Sequence, residues 1–426
     1  MIRVHSHLFL DSELDILHNA LDYIRLSVCG VQRVVSADVS FFDGCREDRS
    51  LAGESSLPRK WQWLVARFAI CGALLGCAPP EPLRLGFLGG ISGRVADLGI
   101  AGRNGATLAV EMRNSSGGVN GRAVELIVED DKQDPDLARK AVGRLLERKV
   151  EAIIGPMTSA MAVATVPLVN EAELVMLSPT VTTTTLTGID DHFLRVIAST
   201  AEYARVSAAY HFDRLGLRRV AAAYDLNNRA YTEGWLADYR HAFESAGGTL
   251  GITVPFSSGK ETSFADLAEG LLRAKPDAVL ILANSVDAAL LAQQLRKRDA
   301  VVRIGTSEWA ATERLVELGG KAVEGVVIAQ FVDRDSTQPA YVAFRRRYVE
   351  RFGQEPGFGG LTAFDAANVV LDALAAKQPG QTLKQVILAR GVFSGAQSEI
   401  RFDATGDAAR ETYLTTIRDG TFVRLH

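Results

Sequence analysis

The segment from Val150 to Thr185 constrains the fold of this chain more than any other part of it. It contains two short apolar runs, Ala152–Ile154 and Leu174–Leu177, and each run is followed by a Gly or Ser and then a Pro. Short apolar runs bounded by turn residues are typical of buried parallel strands. The residues between the two runs are enough for the helix that a parallel connection requires. We therefore predict two parallel strands that end at the same edge of one sheet.

Both predicted strands lead into loops that are rich in hydroxyl groups. Thr158 and Ser159 follow the first strand, and the run from Ser178 to Thr185 follows the second. Ligands of open α/β sheets bind beyond the carboxyl ends of the strands, where hydroxyls and free backbone N–H groups suit a small anion such as a carboxylate. The alternative is that Ser159 caps the next helix and the threonines belong to a surface loop. This segment alone leaves both interpretations open.

Predicted strands and helices alternate along the rest of the chain from Leu83 onward. The further predicted strands are Leu83–Leu88, Ala123–Glu129, Phe193–Ile197, Arg219–Tyr224, Ile252–Phe256, Ala278–Ala283, Val302–Thr306, Gly325–Phe331 and Glu399–Phe402. Repeated strand–helix units predict an α/β fold with doubly wound parallel sheets. This region is longer than a typical domain built on one such sheet, so we expect two lobes.

The composition and the motifs argue against several functional classes. The net charge of the 426 residues is −4, so no basic surface for nucleic acid is expected. The last cysteine is Cys77, and the region after it can form no internal disulfide. The glycine run at 89–93, GGISG, lacks the spacing of a dinucleotide-binding fingerprint, which disfavours a nicotinamide-dependent oxidoreductase. The histidines are scattered, so we predict no enzyme, no cofactor and no metal site.

Three residues of the second half are candidates for binding a ligand. Glu308 and Trp309 follow a predicted strand, and a carboxylate beside an indole suits an ammonium group through ion pairing and cation–π contact. Tyr231 opens a predicted helix after a polar loop and could close over a ligand. The alternatives are an exposed loop glutamate beside a core tryptophan, and a tyrosine that only packs.

The residues before Ala78 contain an export signal in our interpretation. A basic pair, Arg59-Lys60, precedes an apolar stretch that ends in Leu-Leu-Gly-Cys at Cys77, with the length of a signal-peptide apolar region. This ending resembles the lipobox of bacterial lipoproteins, in which the Cys is lipidated, and a buried core helix is the alternative. We expect residues 57–77 to be a lipoprotein signal peptide. Residues 1–56 are then an upstream segment that is not native or is disordered.

Four stretches of the chain resemble one known family, the type I periplasmic binding proteins that serve branched-chain amino acid importers of the ATP-binding-cassette class. They read LRLGFLGGISG with the following GRNGATLAVEMRN, SSGGVNGRAVELIVEDDKQDP, EAIIGPMTSAMA and VMLSPTVTTTTLT. The resemblance covers Leu83 to about Leu425. It implies two α/β lobes joined by a three-strand hinge, which close on a small ligand. We expect an N-terminal lobe of residues 83–198 plus 331–396 and a C-terminal lobe of residues 199–330 plus 397–426, with crossovers near Ser199, Gln330 and Ala396.

The resemblance also implies roles for individual residues. The ligand's α-carboxylate would be held by the first lobe and its α-ammonium by the second. The matching positions are Ser159, Thr180 and Thr182 for the carboxylate, and Glu308 with Tyr231 for the ammonium. Leu98, Trp309 and Phe358 would form the pocket wall.

Three departures from the family pattern concern the pocket. Leu98 replaces a family tyrosine, and a second-lobe tyrosine falls near Asn284-Ser285. Gln133 and Thr158 stand where some members have a disulfide. The side chain of the ligand is therefore not defined by the resemblance.

The function expected from the sequence is that of an extracytoplasmic solute-binding lipoprotein, located in the periplasm or cell envelope. It would capture an amino acid, branched-chain or related, or a similar small polar compound and deliver it to the membrane permease subunits of an importer. The alternative on the same fold is a ligand-sensing or regulatory lipoprotein. The ligand, the partner and the membrane that carries the anchor are not specified by the sequence.

Overall fold

The structure, a computed structural model, describes residues 80–259 and 261–425. The upstream segment 1–56, the predicted signal peptide 57–77 and its lipidation site Cys77 lie outside the described residues. These three expectations stay predictions.

The first lobe is built on a five-stranded parallel sheet in the order β2-β1-β3-β4-β5. Its strands are β1 Leu83–Gly89, β2 Val124–Asp130, β3 Ile153–Ile154, β4 Met176–Ser178 and β5 Phe193–Arg195, and its first helices are α1 Ala96–Ser115, α2 Pro135–Glu147 and α3 Ser159–Glu171. The two apolar runs of the central segment form β3 and β4, with Ile153 paired to Met176. The prediction of two adjacent parallel strands with a crossover helix, here α3, is confirmed.

The start of α2 shows how local sequence fixes an element. The side chain of Asp134, the N-cap residue, accepts hydrogen bonds from the backbone N–H groups of Asp136 and Leu137. Pro135 occupies the first turn, where its missing N–H would have had no helical partner anyway. The pair Asp134-Pro135 therefore defines where α2 begins.

The second lobe contains five parallel strands in the order β7-β6-β8-β9-β10. The strands are β6 Arg219–Asp225, β7 Thr249–Phe256, β8 Ala278–Leu282, β9 Arg303–Thr306 and β10 Val327–Gln330, with helices α4 Thr200–Ala209, α5 Arg229–Ser245, α6 Phe264–Leu272, α7 Ser285–Arg298 and α8 Glu313–Gly319. Every residue of β8, AVLIL, is buried. A continuous apolar run of this kind is what a central strand covered by helices on both faces requires.

The chain then returns to the first lobe and finally rejoins the second sheet. The remaining elements are α9 Pro339–Phe352, α10 Gly357–Ala376, α11 Leu383–Arg390, β11 Val392–Ser394, β12 Glu399–Phe402, β13 Ala408–Ala409, β14 Tyr413–Arg418 and β15 Thr421–Arg424. β14 pairs antiparallel with β10 and forms a hairpin with β15, turning at Asp419-Gly420. The second sheet thus has seven strands. The α/β fold with two parallel-sheet lobes is as predicted.

A small third sheet changes the expected path between the lobes. β11, β12 and β13 form a separate antiparallel sheet, which the sequence pattern did not predict beyond β12. It adjoins β5, because the N–H of Arg195 donates to the carbonyl of Gly406 and the Arg195 guanidinium pairs with Asp407. We therefore place the third crossover between β13 and β14 rather than near Ala396. Residues 397–409 then belong with the first lobe and not, as expected, with the C-terminal lobe.

Helix α10 is the one helix among the described residues that is long and apolar enough to cross a membrane. The share of its most apolar window that is buried is 83%, which is typical of the core helix of a globular lobe. It packs closely on α1, where a Cβ added to Gly105 would lie 2.0 Å from the carbonyl oxygen of Gly360. The two backbones can approach this closely because Gly105 has no side chain.

Candidate functional site

A small cavity lies where the two lobes meet, beyond the carboxyl ends of their parallel strands. Its volume is about 20 Å³, and it is lined by Leu98, Met157, Thr158, Ser159, Thr180, Asn228, Tyr231, Glu308, Trp309, Phe331 and Phe358. All of the predicted site residues within the described part of the chain are in this lining except Thr182. Residues far apart in sequence, such as Leu98 and Glu308, therefore meet at one place, as in the ligand sites of doubly wound sheets.

Ser159 and Thr158 line the cavity on the side of the first lobe. Ser159 is the first residue of α3 and is only 2% exposed. The alternative that Ser159 caps this helix is wrong, because Thr158 is the N-cap residue and its side chain makes no capping hydrogen bond. The Thr158 hydroxyl instead donates to Oε1 of Gln133 at 3.0 Å. The two positions that match a family disulfide are therefore in side-chain contact here.

The loop after β4 is held by hydroxyl-to-backbone hydrogen bonds. The Ser178 hydroxyl donates to the carbonyl of Pro156 at 2.9 Å and accepts from the N–H of Val181 at 3.0 Å. The Thr180 hydroxyl lines the cavity and donates to the carbonyl of Met157 at 2.6 Å. Its lone pairs can still accept, but its proton is committed to the backbone. The alternative that this loop merely lies on the surface is wrong for these residues.

Thr182 occupies a different place from the one expected. It is 1% exposed, is not part of the cavity lining, and lies beside the carboxyl group of Glu308. Among the described residues, its Oγ1 has no hydrogen-bond partner. The predicted contact of Thr182 with a ligand carboxylate is therefore not supported by its position, since it lies next to the anionic residue of the second lobe.

Glu308 forms the polar part of the second-lobe side. It begins a short 3-10 helix, Glu308–Ala310, that follows β9, and it is 3% exposed. The alternative of an exposed loop glutamate is therefore wrong. Its Oε2 accepts a hydrogen bond of 3.0 Å from the indole Nε1 of Trp235, whereas its Oε1 has no partner within the described residues.

The electrostatic state of Glu308 is set mainly by its environment. Burial raises the pKa of its carboxyl group to about 7, although its own backbone N–H and the polar groups of Tyr231, Trp235 and Thr182 act in the opposite direction. The hydroxyls of Tyr231 and Thr182 favour the charged form by their proximity, but neither has the geometry of a hydrogen bond to Oε1. A cation placed in the cavity would complete this group's interactions and favour its anionic form.

Tyr231 both packs and presents a polar group. It is 4% exposed, and its ring contacts that of Trp309 edge to face with centroids 5.6 Å apart. Its hydroxyl is buried and has no partner in the described part of the chain. The packing interpretation is therefore correct for the ring, while the hydroxyl is available to a ligand.

The remaining wall of the cavity is apolar. Leu98 and Phe358 come from the first lobe and Trp309 from the second, as predicted. Phe331, which directly follows β10, completes the wall and meets Phe358 edge to face with centroids 5.8 Å apart. Such a wall suits an apolar ligand side chain, which gains free energy from being removed from water.

Polar contacts between the lobes surround the cavity. Oδ2 of Asp97 in the first lobe accepts hydrogen bonds from the hydroxyls of Ser285 and Thr312 in the second. Arg94 pairs with Asp287, whose side chain is fully buried. The cleft is therefore closed over the site by charged and hydroxyl groups.

Two further contacts join the lobes deeper in the cleft. The Thr183 hydroxyl donates to the carbonyl of Ala230 at 2.7 Å. The backbone N–H of Ala160 donates to the side-chain oxygen of Asn228 at 2.9 Å. Both contacts connect the loops that carry the predicted binding residues.

Sequence reasoning missed four residues of this site. Met157, Asn228 and Phe331 line the cavity, and Trp235 holds Glu308. The position of Trp235, one helical turn after Tyr231, places both on the same face of α5 and could have indicated it. Phe331 carried no comparable signal, because its position depends on how the chain leaves β10.

Comparison with known proteins identifies the family. A family model described as "Periplasmic binding protein" matches residues 82–421. The chain belongs to the periplasmic binding protein family. The family predicted from the four sequence stretches is confirmed, and the family is a class of solute-binding proteins.

Relatives of this binding protein match most of its length. The leucine-, isoleucine-, valine-, threonine-, and alanine-binding protein of Pseudomonas aeruginosa is 22% identical over 351 residues, which are 81% of this chain and 92% of the relative. The crystal structure of a leucine-binding protein, LivK, from Thermotoga maritima superposes with a TM-score of 0.75 at 25% identity and covers 81% of this chain and 98% of its own. A solute-binding protein from Rhodopseudomonas palustris in complex with benzoate gives a TM-score of 0.74 at 18% identity, with 81% and 95% coverage.

Proposed function

We propose that this periplasmic binding protein captures an amino acid, branched-chain or related, or a similar small polar compound between its lobes and delivers it to an importer of the ATP-binding-cassette class. The proposal rests on one observation. The hydroxyl-bearing start of α3 with Ser159 and the buried carboxyl of Glu308 face one cavity from opposite lobes. An α-amino acid carries a carboxylate, which suits the Ser159 side of the cavity, and an ammonium group, which suits the Glu308 side.

The two half-sites explain why the ligand would favour closed lobes. The Ser159 hydroxyl and the N-terminal end of the α3 dipole suit a carboxylate. Oε1 of Glu308 and the Tyr231 hydroxyl suit an ammonium group, which can donate to both oxygens. Only the closed lobes present both half-sites together, so the ligand binds that state more tightly and increases its population. This function depends on ligand binding and lobe closure and requires no catalytic step.

The choice between an amino acid and a simple acid depends on Glu308. The relatives include amino-acid-binding proteins and a benzoate-binding protein. A ligand without an amino group would leave a buried carboxyl with an unpaired oxygen, which is costly when that carboxyl is charged. An ammonium group removes this cost. We therefore infer that the ligand carries an amino group.

The apolar wall and the size of the cavity favour a compact ligand side chain. Leu98, Phe331 and Phe358 offer no buried charge to a polar side chain. The cavity of about 20 Å³ requires the lobes to separate slightly around any amino acid. We infer that the ligand side chain is small and apolar.

The location and the partner follow from the same proposal. The export signal and the lipidation of Cys77 would hold the protein at the cell envelope, with the permease subunits of the importer as its partner. Mass spectrometry of the protein purified from its native membrane tests the anchor. A diacylated N-terminal peptide beginning at Cys77 is expected, and an intact peptide that spans residues 57–77 would exclude it.

A thermal-shift screen tests the ligand class. The protein is unfolded and refolded to remove any bound compound, then heated with leucine, isoleucine, valine, threonine, alanine or benzoate. A compound at 100 times its Kd should add about 2.7 kcal/mol to the free energy of unfolding. Stabilisation by an amino acid supports the proposal. Stabilisation by benzoate alone would show that Glu308 does not select an amino group, and no stabilisation by any compound would favour the sensing or regulatory alternative.

A further inference from the structure

Trp235 connects the ligand cleft to the interior of the second lobe. It lies in α5, its side chain is fully buried, and its indole Nε1 donates to Oε2 of Glu308 at 3.0 Å. It is not part of the cavity lining and cannot contact a ligand there directly. Any effect of Trp235 on binding must therefore act through Glu308.

A column of aromatic rings fixes the position of Trp235. Its ring stacks on Tyr239 with centroids 5.6 Å apart and an interplanar angle of 15°, and Tyr239 stacks on Phe243 at 5.3 Å and 17°. The Tyr239 hydroxyl is 2.8 Å from Nδ1 of His211, so it has a hydrogen-bond partner other than Glu308. Burial lowers the pKa of His211 to about 4, so this ring is neutral near pH 7. The stacked ring of Tyr239, rather than its hydroxyl, fixes the position of the indole.

The hydrogen bond from Trp235 gives the two carboxyl oxygens of Glu308 different roles. Oε2 is occupied by the indole N–H, and Oε1 has no partner among the described residues. Without the indole N–H on Oε2, this buried carboxylate would be more costly to keep charged, and it could rotate away from the cavity. The N–H thus favours the charged form and fixes its direction.

We propose that Trp235 is a positioning residue for ammonium recognition, which holds Oε2 of Glu308 so that Oε1 faces the ligand. This inference rests on the proposed function. Trp235 would not contact the ligand, but it would determine whether the protein prefers ligands with an amino group over ligands without one.

The other titratable groups near Glu308 do not account for a change of charge near neutral pH. The hydroxyls of Tyr203 and Tyr231 face it from α4 and α5, and burial raises the pKa of each well above its usual value, so both stay neutral. Beyond Tyr203, the charged groups are arginines paired with carboxylates: Arg410 with Asp365, and Arg195 with Asp407. Glu308 is therefore the group next to the cavity whose charge changes near neutral pH.

The test uses Trp235→Phe in the full-length protein, with Tyr239→Phe as the matched control. Trp235→Phe keeps an aromatic ring in the column but removes the donor to Glu308. Tyr239→Phe removes the hydroxyl bonded to His211 in the same column and leaves Glu308 untouched. If Trp235→Phe does not fold, β-(3-benzothienyl)alanine at position 235 replaces the indole N–H with sulfur at nearly the same shape.

Calorimetric titration compares leucine with 4-methylpentanoate, which lacks the amino group, between pH 5.5 and 8.5. Loss of a hydrogen bond to a charged group should weaken leucine binding at pH 7 by about 10- to 100-fold. The pH of half-maximal affinity should rise, and 4-methylpentanoate should be unaffected within about twofold. Tyr239→Phe should resemble the wild type. Equal losses for both compounds, or an unshifted pH profile, would overturn the proposal and indicate only a structural role.

A second measurement does not depend on the ligand. The carboxyl stretching band of Glu308, assigned by its loss in Glu308→Gln, is followed with pH by infrared difference spectroscopy. Its titration midpoint should move to higher pH in Trp235→Phe and stay in place in Tyr239→Phe. An unmoved midpoint in Trp235→Phe overturns the role of Trp235. If the wild type binds neither compound but the midpoint moves, the proposed function fails while Trp235 still controls Glu308.

Discussion

The side-chain oxygen of Asn228 accepts a hydrogen bond from the backbone N–H of Ala160, at 2.9 Å, across the cleft between the lobes. Ala160 follows Ser159 in the first turn of α3, where N–H groups have no partner within the helix. The second lobe therefore satisfies one of these donors when the lobes close. Lobe closure and the proposed carboxylate half-site therefore both use the first turn of α3.

Substitution of Asn228 should weaken ligand binding through this contact. Asn228→Ala removes a buried hydrogen bond worth about 1 kcal/mol, so we expect a loss of affinity of about fivefold. The matched control is Asn227→Ala, because the Asn227 side chain donates to the carbonyl of Ser258 within the second lobe. Calorimetry with the ligand found by the screen measures both. A larger loss for Asn227→Ala would contradict the assignment.

Asp97 should control the balance between open and closed lobes. Its Oδ2 accepts from Ser285 and Thr312 of the opposite lobe, so Asp97→Ala removes two contacts that exist only on closure. We expect the radius of gyration from small-angle X-ray scattering to increase, with an affinity loss of at least about tenfold. The double variant Ser285→Ala, Thr312→Ala should behave alike. Combining all three changes should add little, because they remove the same interaction.

Glu308→Gln should reduce the affinity for an amino acid while preserving the fold. Removal of one partner of a buried charge pair costs about 2–5 kcal/mol, which corresponds to a loss of at least about 30-fold. Glu317→Gln, in the exposed part of α8, is the control and should bind normally. Unchanged binding in Glu308→Gln would exclude this residue as the ammonium partner.

The stability of the ligand-free protein should fall as the pH rises from about 4.5 to 7. The pKa of Glu308 is raised from 4.5 to about 7, so in this window the folded protein binds more protons than the unfolded chain. The stability is fully present below pH 4.5 and decreases by about 3 kcal/mol for this group by pH 7 and above. The pKa values of Asp131 and Asp225 are also raised, mainly by burial, to about 6, so they act in the same direction, whereas His211, whose pKa is lowered by burial to about 4, acts in the opposite direction. Urea unfolding at pH 5 and 8 should show a smaller pH effect in Glu308→Gln, and an identical effect would refute the assignment.

The contact between α1 and α10 should not tolerate a side chain at Gly105. Gly105→Ala would place a Cβ 2.0 Å from the carbonyl oxygen of Gly360, and the resulting shift of the helices should cost about 2–3 kcal/mol. Gly143 in α2 is the control, because a Cβ there has no atom of the described structure within 4 Å. Gly143→Ala should be stabilising by up to about 1 kcal/mol, since alanine favours the helix. Chemical denaturation measures both, and equal effects would contradict the close packing.

The local elements and the family could be predicted from the residues alone. Apolar runs such as the one that forms β8 define buried strands, and Asp134-Pro135 defines a helix start, because these signals depend only on neighbouring residues. Hydroxyls after β4 and the Glu308-Trp309 pair after β9 indicated the half-sites, since strand ends share one edge of a parallel sheet.

How these elements meet depends on the three-dimensional packing of the chain. The hydrogen bond from Trp235 to Glu308 joins residues 73 apart, and the bond from Ser285 to Asp97 joins residues 188 apart. Burial raises the pKa of Glu308, and the side chains of α5 and of the loop after β4 oppose this increase; no local sequence pattern brings these side chains to this position. The same holds for Thr182: the sequence places it in the loop after β4, but the packing of the two lobes decides that it lies beside Glu308. Desolvation and hydrogen bonding between distant segments depend on the packed fold, and so does the chemistry of the site.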